Sequence, residues 1–149
     1  FFLMSVAEVS EQLAGLNLKE INEEQTKQVF DKVKALKQVK DVVVLSSEGK
    51  SLHSTMDVND AEIADISTLF TSHKYALEHA IVINGKRHEV HRYFAEEGLI
   101  YGRLGQGGND SVGAALIRNF SNVLVLVTYG FPNLSARVIP LVRKELASF

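Results

Sequence analysis

Between Thr26 and Val39 the apolar residues Val29, Phe30, Val33, Leu36 and Val39 recur at helical spacing, with Lys27, Lys32, Lys34 and Lys37 on the other faces. This predicts an amphipathic helix capped by Thr26, its apolar stripe packed on a sheet. Ahead of it, Val6, Val9, Leu13, Leu16 and Ile21 follow a looser helical spacing that Gly15 interrupts, so residues 5–24 are expected to be a mobile or weakly helical extension. The valine-rich run from Asp41 to Ser46 then reads as a buried strand. Glu48-Gly49 marks a tight turn, and Ser51 to Thr55 returns as the partner strand of a β-hairpin.

Asn59 followed by Glu62 fits a capping box, and Ile63, Ile66, Phe70 and Leu77 predict a second helix running to about His79. From Ile81 onward the period shortens to that of strands. Asn84-Gly85, Glu97-Gly98, the glycine-rich run 105–113 and Asn119 to Asn122 divide them into an antiparallel meander. Val123 to Tyr129 is the most apolar strand and is expected near the centre of the sheet. Ser135 to Phe149 reads as a terminal helix with Val138, Leu141, Val142 and Leu146 inward. Pro140 requires that this helix start near Arg137 or kink, because proline fits only the first turn without cost. The order of helix, hairpin, helix, meander and helix implies an α+β domain, with helices on both faces of one antiparallel sheet.

A chain of 149 residues suits one domain with a substantial core. Its 46% hydrophobic and 23% charged residues are ordinary for a globular protein, and no window approaches the ~18 apolar residues that span a bilayer. The absence of cysteine removes disulfides and thiolate metal sites and makes the cytoplasm the default location. Met4-Ser5 resembles a natural start, so residues 1–3 are set apart from the fold. Residues 1–25 carry Glu8, Glu11, Glu20, Glu23 and Glu24 against Lys19, and the whole chain has a net charge of −2. No concentrated basic face marks a nucleic-acid binder.

Reactive chemistry finds little support. His88 and His91 have opposite parity if residues 86–94 form a strand, so they do not make a metal pair, and His53, His73 and His79 are scattered. Gly102, Gly105, Gly107 and Gly108 join strands and lack the Gly-Lys-Ser/Thr of a phosphate cradle; they read as glycines permitting positive φ in a hairpin loop. No nucleophile with a base and no paired carboxylates stand out, so neither an enzyme nor a cofactor is expected.

The segment Ile100-Tyr101-Gly102-Arg103-Leu104-Gly105-Gln106-Gly107-Gly108 resembles the profilin signature, in which isoleucine precedes Gly, a basic residue, Gly and Gly-Gly. Gly85-Lys86-Arg87-His88-Glu89-Val90 is similar to the profilin turn and strand. Glu62-Ile63 with Ile66 and Phe70 is similar to its second helix, and Tyr129, Pro132, Val142 and Leu146 to its last strand, loop and helix. The resemblance covers residues 26–149 and implies a divergent, archaeal-type profilin behind an acidic N-terminal extension of residues 1–25. It implies a sheet of about six to seven strands, with the N- and C-terminal helices on one face and a further helix on the other.

What the resemblance implies for function is a monomeric cytoplasmic and cytoskeletal protein that binds an actin monomer and regulates its polymerisation. The actin-facing residues would be Arg87, Val90, Arg92, Tyr101, Arg103, Asn133, Leu134 and Arg137. Proline-rich peptides would meet Phe30, Leu52, Leu146 and Phe149, a groove lacking the tryptophans usual in profilins. The lysines at 27, 32, 34, 37 and 40 would meet phosphoinositide head groups. The extension would fold back on the adjacent helix and compete with the peptide. Residues 109–114 also make the glycine-rich loop longer than usual. The other family sharing this element order is the roadblock/longin-like scaffold, which dimerises and binds small GTPases; a stable homodimer would favour it.

Overall fold

A computed structural model describes residues 18–105 and 110–149. The acidic extension up to residue 17 and its expected fold-back, together with Gly107 and Gly108 of the glycine-rich loop, lie outside the described residues.

The first helix, α1 (Glu23–Lys34), starts before the expected Thr26 cap. Asn22 is the cap instead: its side chain accepts from the Gln25 amide, and Gln25 Oε1 accepts from the Asn22 amide in a reciprocal box. Order reaches further back than residue 26. Ile21 is buried, and Asn122 clasps its backbone from both sides, Oδ1 accepting from the Ile21 amide at 3.1 Å and Nδ2 donating to the Ile21 carbonyl at 2.8 Å. Thr26 is buried in the first turn, its hydroxyl donating to the Asn22 carbonyl.

The hairpin β1 (Asp41–Ser46) and β2 (Ser51–Ser54) forms as expected. The single second helix does not. It is divided into α2 (Asp60–Ile66), a 3₁₀ turn at Leu69–Thr71 and α3 (His73–His79), with Ser72 capping the last piece through the Tyr75 amide. Asn59 caps α2, but Glu62 does not complete the box. Its two carboxylate oxygens accept from the Asn84 and Gly85 amides at 2.8 and 2.9 Å, bracing a turn 22 and 23 residues away.

That turn joins β3 (Ile81–Ile83) to β4 (Lys86–Phe94), followed by β5 (Leu99–Leu104), β6 (Val112–Ile117) and β7 (Val123–Gly130). The strands make one seven-stranded antiparallel sheet in the order β2-β1-β7-β6-β5-β4-β3. β7 is interior beside the middle strand β6, and is buried along almost its whole length because both faces are covered. Strand β6 already includes Val112 and Gly113, so the turn before it ends sooner than expected.

Alternation along the strands sorts their side chains into two cores. Val42, Val44, Ala115, Val125 and Val127 face α1 and the terminal helix α4 (Ser135–Leu146), while Val43, Leu45, Ile100, Leu116 and Leu126 face α2 and α3. Helix α4 begins at Ser135, not near Arg137, and carries Pro140 inside it. Pro140 and Ala136 are both exposed, so the carbonyl that loses its amide donor faces water. Ile139 is buried where Leu141, expected inward, is only half-buried.

Candidate interaction face

Helices α1 and α4 cover β1, β7 and β6 but leave the same face of β4 and β5 open. Antiparallel partners share a face, so the pairs Glu89 with Arg103 and Arg92 with Tyr101 lie together, and Tyr101 packs against the edge of the α1/α4 core. An irregularity between Val90 and Arg92 inserts His91 as an extra residue. The shift restores Arg92 to the open face and brings exposed Phe94 onto it as well, opposite Leu99. Neither His91 nor Phe94 was expected here, because nothing in the local residue pattern marks a bulge.

The expected actin-facing residues divide. Arg92, Tyr101 and Arg103 stand together on the open face, with Asn133 and Leu134 entering α4 beside them; Leu134 is 52% exposed. Arg137 is exposed on the first turn of α4. Arg87 is on the face too but has intramolecular work. Its guanidinium donates to the Glu78 and His79 carbonyls at the end of α3, and its Nε to Glu89 at 2.6 Å. Val90 is a correction: it is buried in the opposite core, because the alternation that turns Arg87 and Glu89 outward turns Val90 inward.

Tyr101, Arg103, Asn133 and Leu134 line a cavity of about 140 Å³ where β5, β6 and β7 meet the start of α4. Its inner wall is Tyr129 on β7, only 3% exposed. Gly113 on β6 is there because a Cβ would land in the Tyr129 ring. Burial, reinforced by the neighbouring Tyr101, pushes the Tyr129 phenol well above its ordinary range, so it stays protonated. The nearby Ser135 hydroxyl eases the phenol slightly without completing a hydrogen bond of good geometry to it.

The expected peptide groove is not a continuous aromatic strip. Leu146 is fully buried and gives nothing to a ligand, a second correction that follows from its inward position on α4. Phe30 is buried too, its ring stacked on His53 at 5.4 Å and approached by Lys27 and Lys34 at 5.2 and 4.9 Å from the centroid. Phe149 packs edge-on against Phe120 beneath the Lys32 ammonium. Leu52, exposed at a bulge of β2, lines a separate cavity of about 700 Å³ at the start of α1.

Of the lysines, Lys27 and Lys34 share Asp31, whose carboxyl they hold below its usual range, Lys27 first. Lys37 and Lys40 line a cavity of about 430 Å³ with exposed Phe131. The histidines are not a metal pair: His88 is buried and His91 is exposed on the opposite face. Among the described residues no helix is long and apolar enough to cross a membrane.

No protein-family model and no curated protein matches the chain. Solved structures do. Profilin IA of Acanthamoeba castellanii is 14% identical, with 83% of this chain and 94% of that one covered, at a TM-score of 0.68. A Loki archaeal profilin 2, solved in complex with rabbit actin, is 12% identical over 84% of this chain and 95% of its own, TM-score 0.64. Mouse profilin IIa, solved with a double repeat from the FH1 domain of mDia1, is 12% identical over 82% and 94%, also at 0.64. The chain is an α+β protein of the profilin fold. It shares that fold with an amoeboid, an archaeal and a mammalian profilin while keeping little of their sequence.

Proposed function

We propose that this chain is a divergent profilin that binds an actin monomer through the open face of β4 and β5 and the loop entering α4, as a cytoplasmic regulator of polymerisation and not as an enzyme. The observation that carries the reading is the grouping of Arg92, Tyr101, Arg103, Phe94 and Leu134 on one uncovered surface. Arginine and tyrosine flanked by exposed apolar side chains are the residue types that dominate protein interfaces. The archaeal profilin solved with rabbit actin supports the choice of partner.

Calorimetry with monomeric actin tests it, alongside mass by light scattering. A monomer binding one-to-one is expected, and Arg103→Glu should weaken it at least tenfold, about 1.4 kcal/mol. Unchanged affinity removes Arg103 from the site, and a stable dimer indifferent to actin returns the chain to the GTPase-scaffold class.

Proline-rich peptide binding has thinner support, because the contacts left to it are Leu52, Phe149 and the edge of Phe30; the profilin solved with an FH1 repeat is its best argument. Shifts on adding a proline-rich peptide that leave these three untouched would end it. Phosphoinositide binding draws on Lys37 and Lys40 beside Phe131, and titration with phosphoinositide vesicles at low salt decides it.

A further inference from the structure

We propose that the cavity between Tyr129 and the start of α4 is a carboxylate-binding site. Three groups able to donate converge on it. The Tyr129 hydroxyl is buried at its wall with no hydrogen-bond partner. The α4 N-terminus opens onto it with Leu134 in the capping position, and a leucine side chain offers no acceptor to the first-turn amides. Arg103 stands at the rim with a guanidinium suited to a planar anion. Helix termini lacking a side-chain cap attract negative charge, and here a twelve-residue helix presents one next to a buried hydroxyl.

The cavity lining contains no aspartate or glutamate. Two acids on adjoining segments are committed or exposed: Glu89, opposite Arg103, is paired with Arg87, and Asp110 lies at the exposed end of the neighbouring loop. At about 140 Å³ the space takes a carboxylate with a short stem and excludes a bulky ligand. A burial cost accompanies any hydroxyl left unpaired, so an acceptor placed against Tyr129 gains more than it would at the surface. Two sources share this chemistry: an acidic side chain or terminal carboxylate of a docked protein, or a small free carboxylate. The first rests on the proposed function; the second does not.

The test is an amide-resolved NMR titration of the whole chain with sodium acetate against sodium chloride at equal ionic strength. The expected result is a saturable downfield shift of the Ser135 and Ala136 amides with acetate alone. It should be weakened severalfold in Tyr129→Phe and in Arg103→Gln. Tyr129→Phe should unfold about as readily as the parent, since the hydroxyl it removes completes no hydrogen bond of good geometry within the protein. No saturable shift, or a shift equal in parent and both variants, overturns the site. Actin calorimetry with and without saturating acetate then separates the sources. Competition assigns the carboxylate to the docked partner, and an acetate shift without competition assigns it to a free ligand. Failure of actin to bind at all, with the acetate shift intact, rejects the proposed function and leaves the anion site standing.

Discussion

Gly102 shows how tightly single positions are constrained where β4 and β5 pair beneath the open face. It stands opposite Val90 on β5, where a Cβ would overlap the Glu89 carbonyl oxygen and approach the Val90 Cα to 2.9 Å. The irregularity in β4 brings the two backbones this close, so only glycine fits. Gly102→Ala must push β4 from β5, costing about 1–3 kcal/mol or more, and should lower the thermal midpoint and the affinity for actin together. An unchanged midpoint would mean that the strands move apart at no cost. The glycine was legible as part of a motif, but its cause was not, because the bulge that makes it necessary leaves no mark in the local pattern. Val90 teaches the reverse: the resemblance implied the surface, whereas the alternation of the folded strand turns it inward.

At the scale of elements, caps were read more reliably than lengths. Asn59 and the hairpin turns are where their residue types predict, but α1 starts earlier than expected because Asn22 and Gln25 form a better box than Thr26 can. Asn22→Ala should therefore cost about 1 kcal/mol and lower the denaturant midpoint with no change in slope; no loss would show that Asn122 alone anchors the start of the helix. The segment from Asn59 to His79 looked continuous because Ile63, Ile66 and Phe70 keep helical spacing across a break. The serine and threonine hydroxyls at 67, 68 and 71 bond back to carbonyls three residues earlier, and Ser72 restarts the chain as a new cap. That competition depends on geometry that spacing alone does not record.

Across the whole molecule, the change from helical to strand period after His79 made the α+β plan legible, and the two-sided burial of the sheet followed from its apolar interior strands. The candidate face was not legible as a surface, because it is defined by what α1 and α4 fail to cover. The same two-layer burial sets a pH dependence. His88 is enclosed in the α2/α3 side of the sheet, with Nδ1 bonded to the Ile81 carbonyl at 3.0 Å and Nε2 without a partner. Burial lowers its pKa below the ordinary value, outweighing the Ile81 and Lys86 backbone contacts that raise it, so protons bind the unfolded chain more readily. Stability from this group is complete above the unfolded pKa of about 6.5 and is lost as pH falls from there through the folded value. Urea midpoints should drop between about pH 7 and about pH 5, and less so in His88→Leu; equal drops would assign the slope to other groups.

The brace between Glu62 and the turn at Asn84 and Gly85 bears on how the protein ages. Asparagine followed by glycine is the sequence most prone to deamidation, in which the glycine nitrogen attacks the asparagine side-chain carbonyl, ammonia leaves, and a cyclic imide forms that water opens to aspartate or isoaspartate. Here the attacking nitrogen is held by its proton to the Glu62 carboxylate at 2.9 Å, and must abandon that bond before it can reach the amide. Stored Glu62→Ala protein should accumulate isoaspartate at residue 84 faster than the parent, seen by peptide mass mapping, and equal rates would show that the turn is protected by other means. A contact between one helix and a distant hairpin is thereby expected to slow the ageing of the Asn84-Gly85 pair as well as to hold its turn.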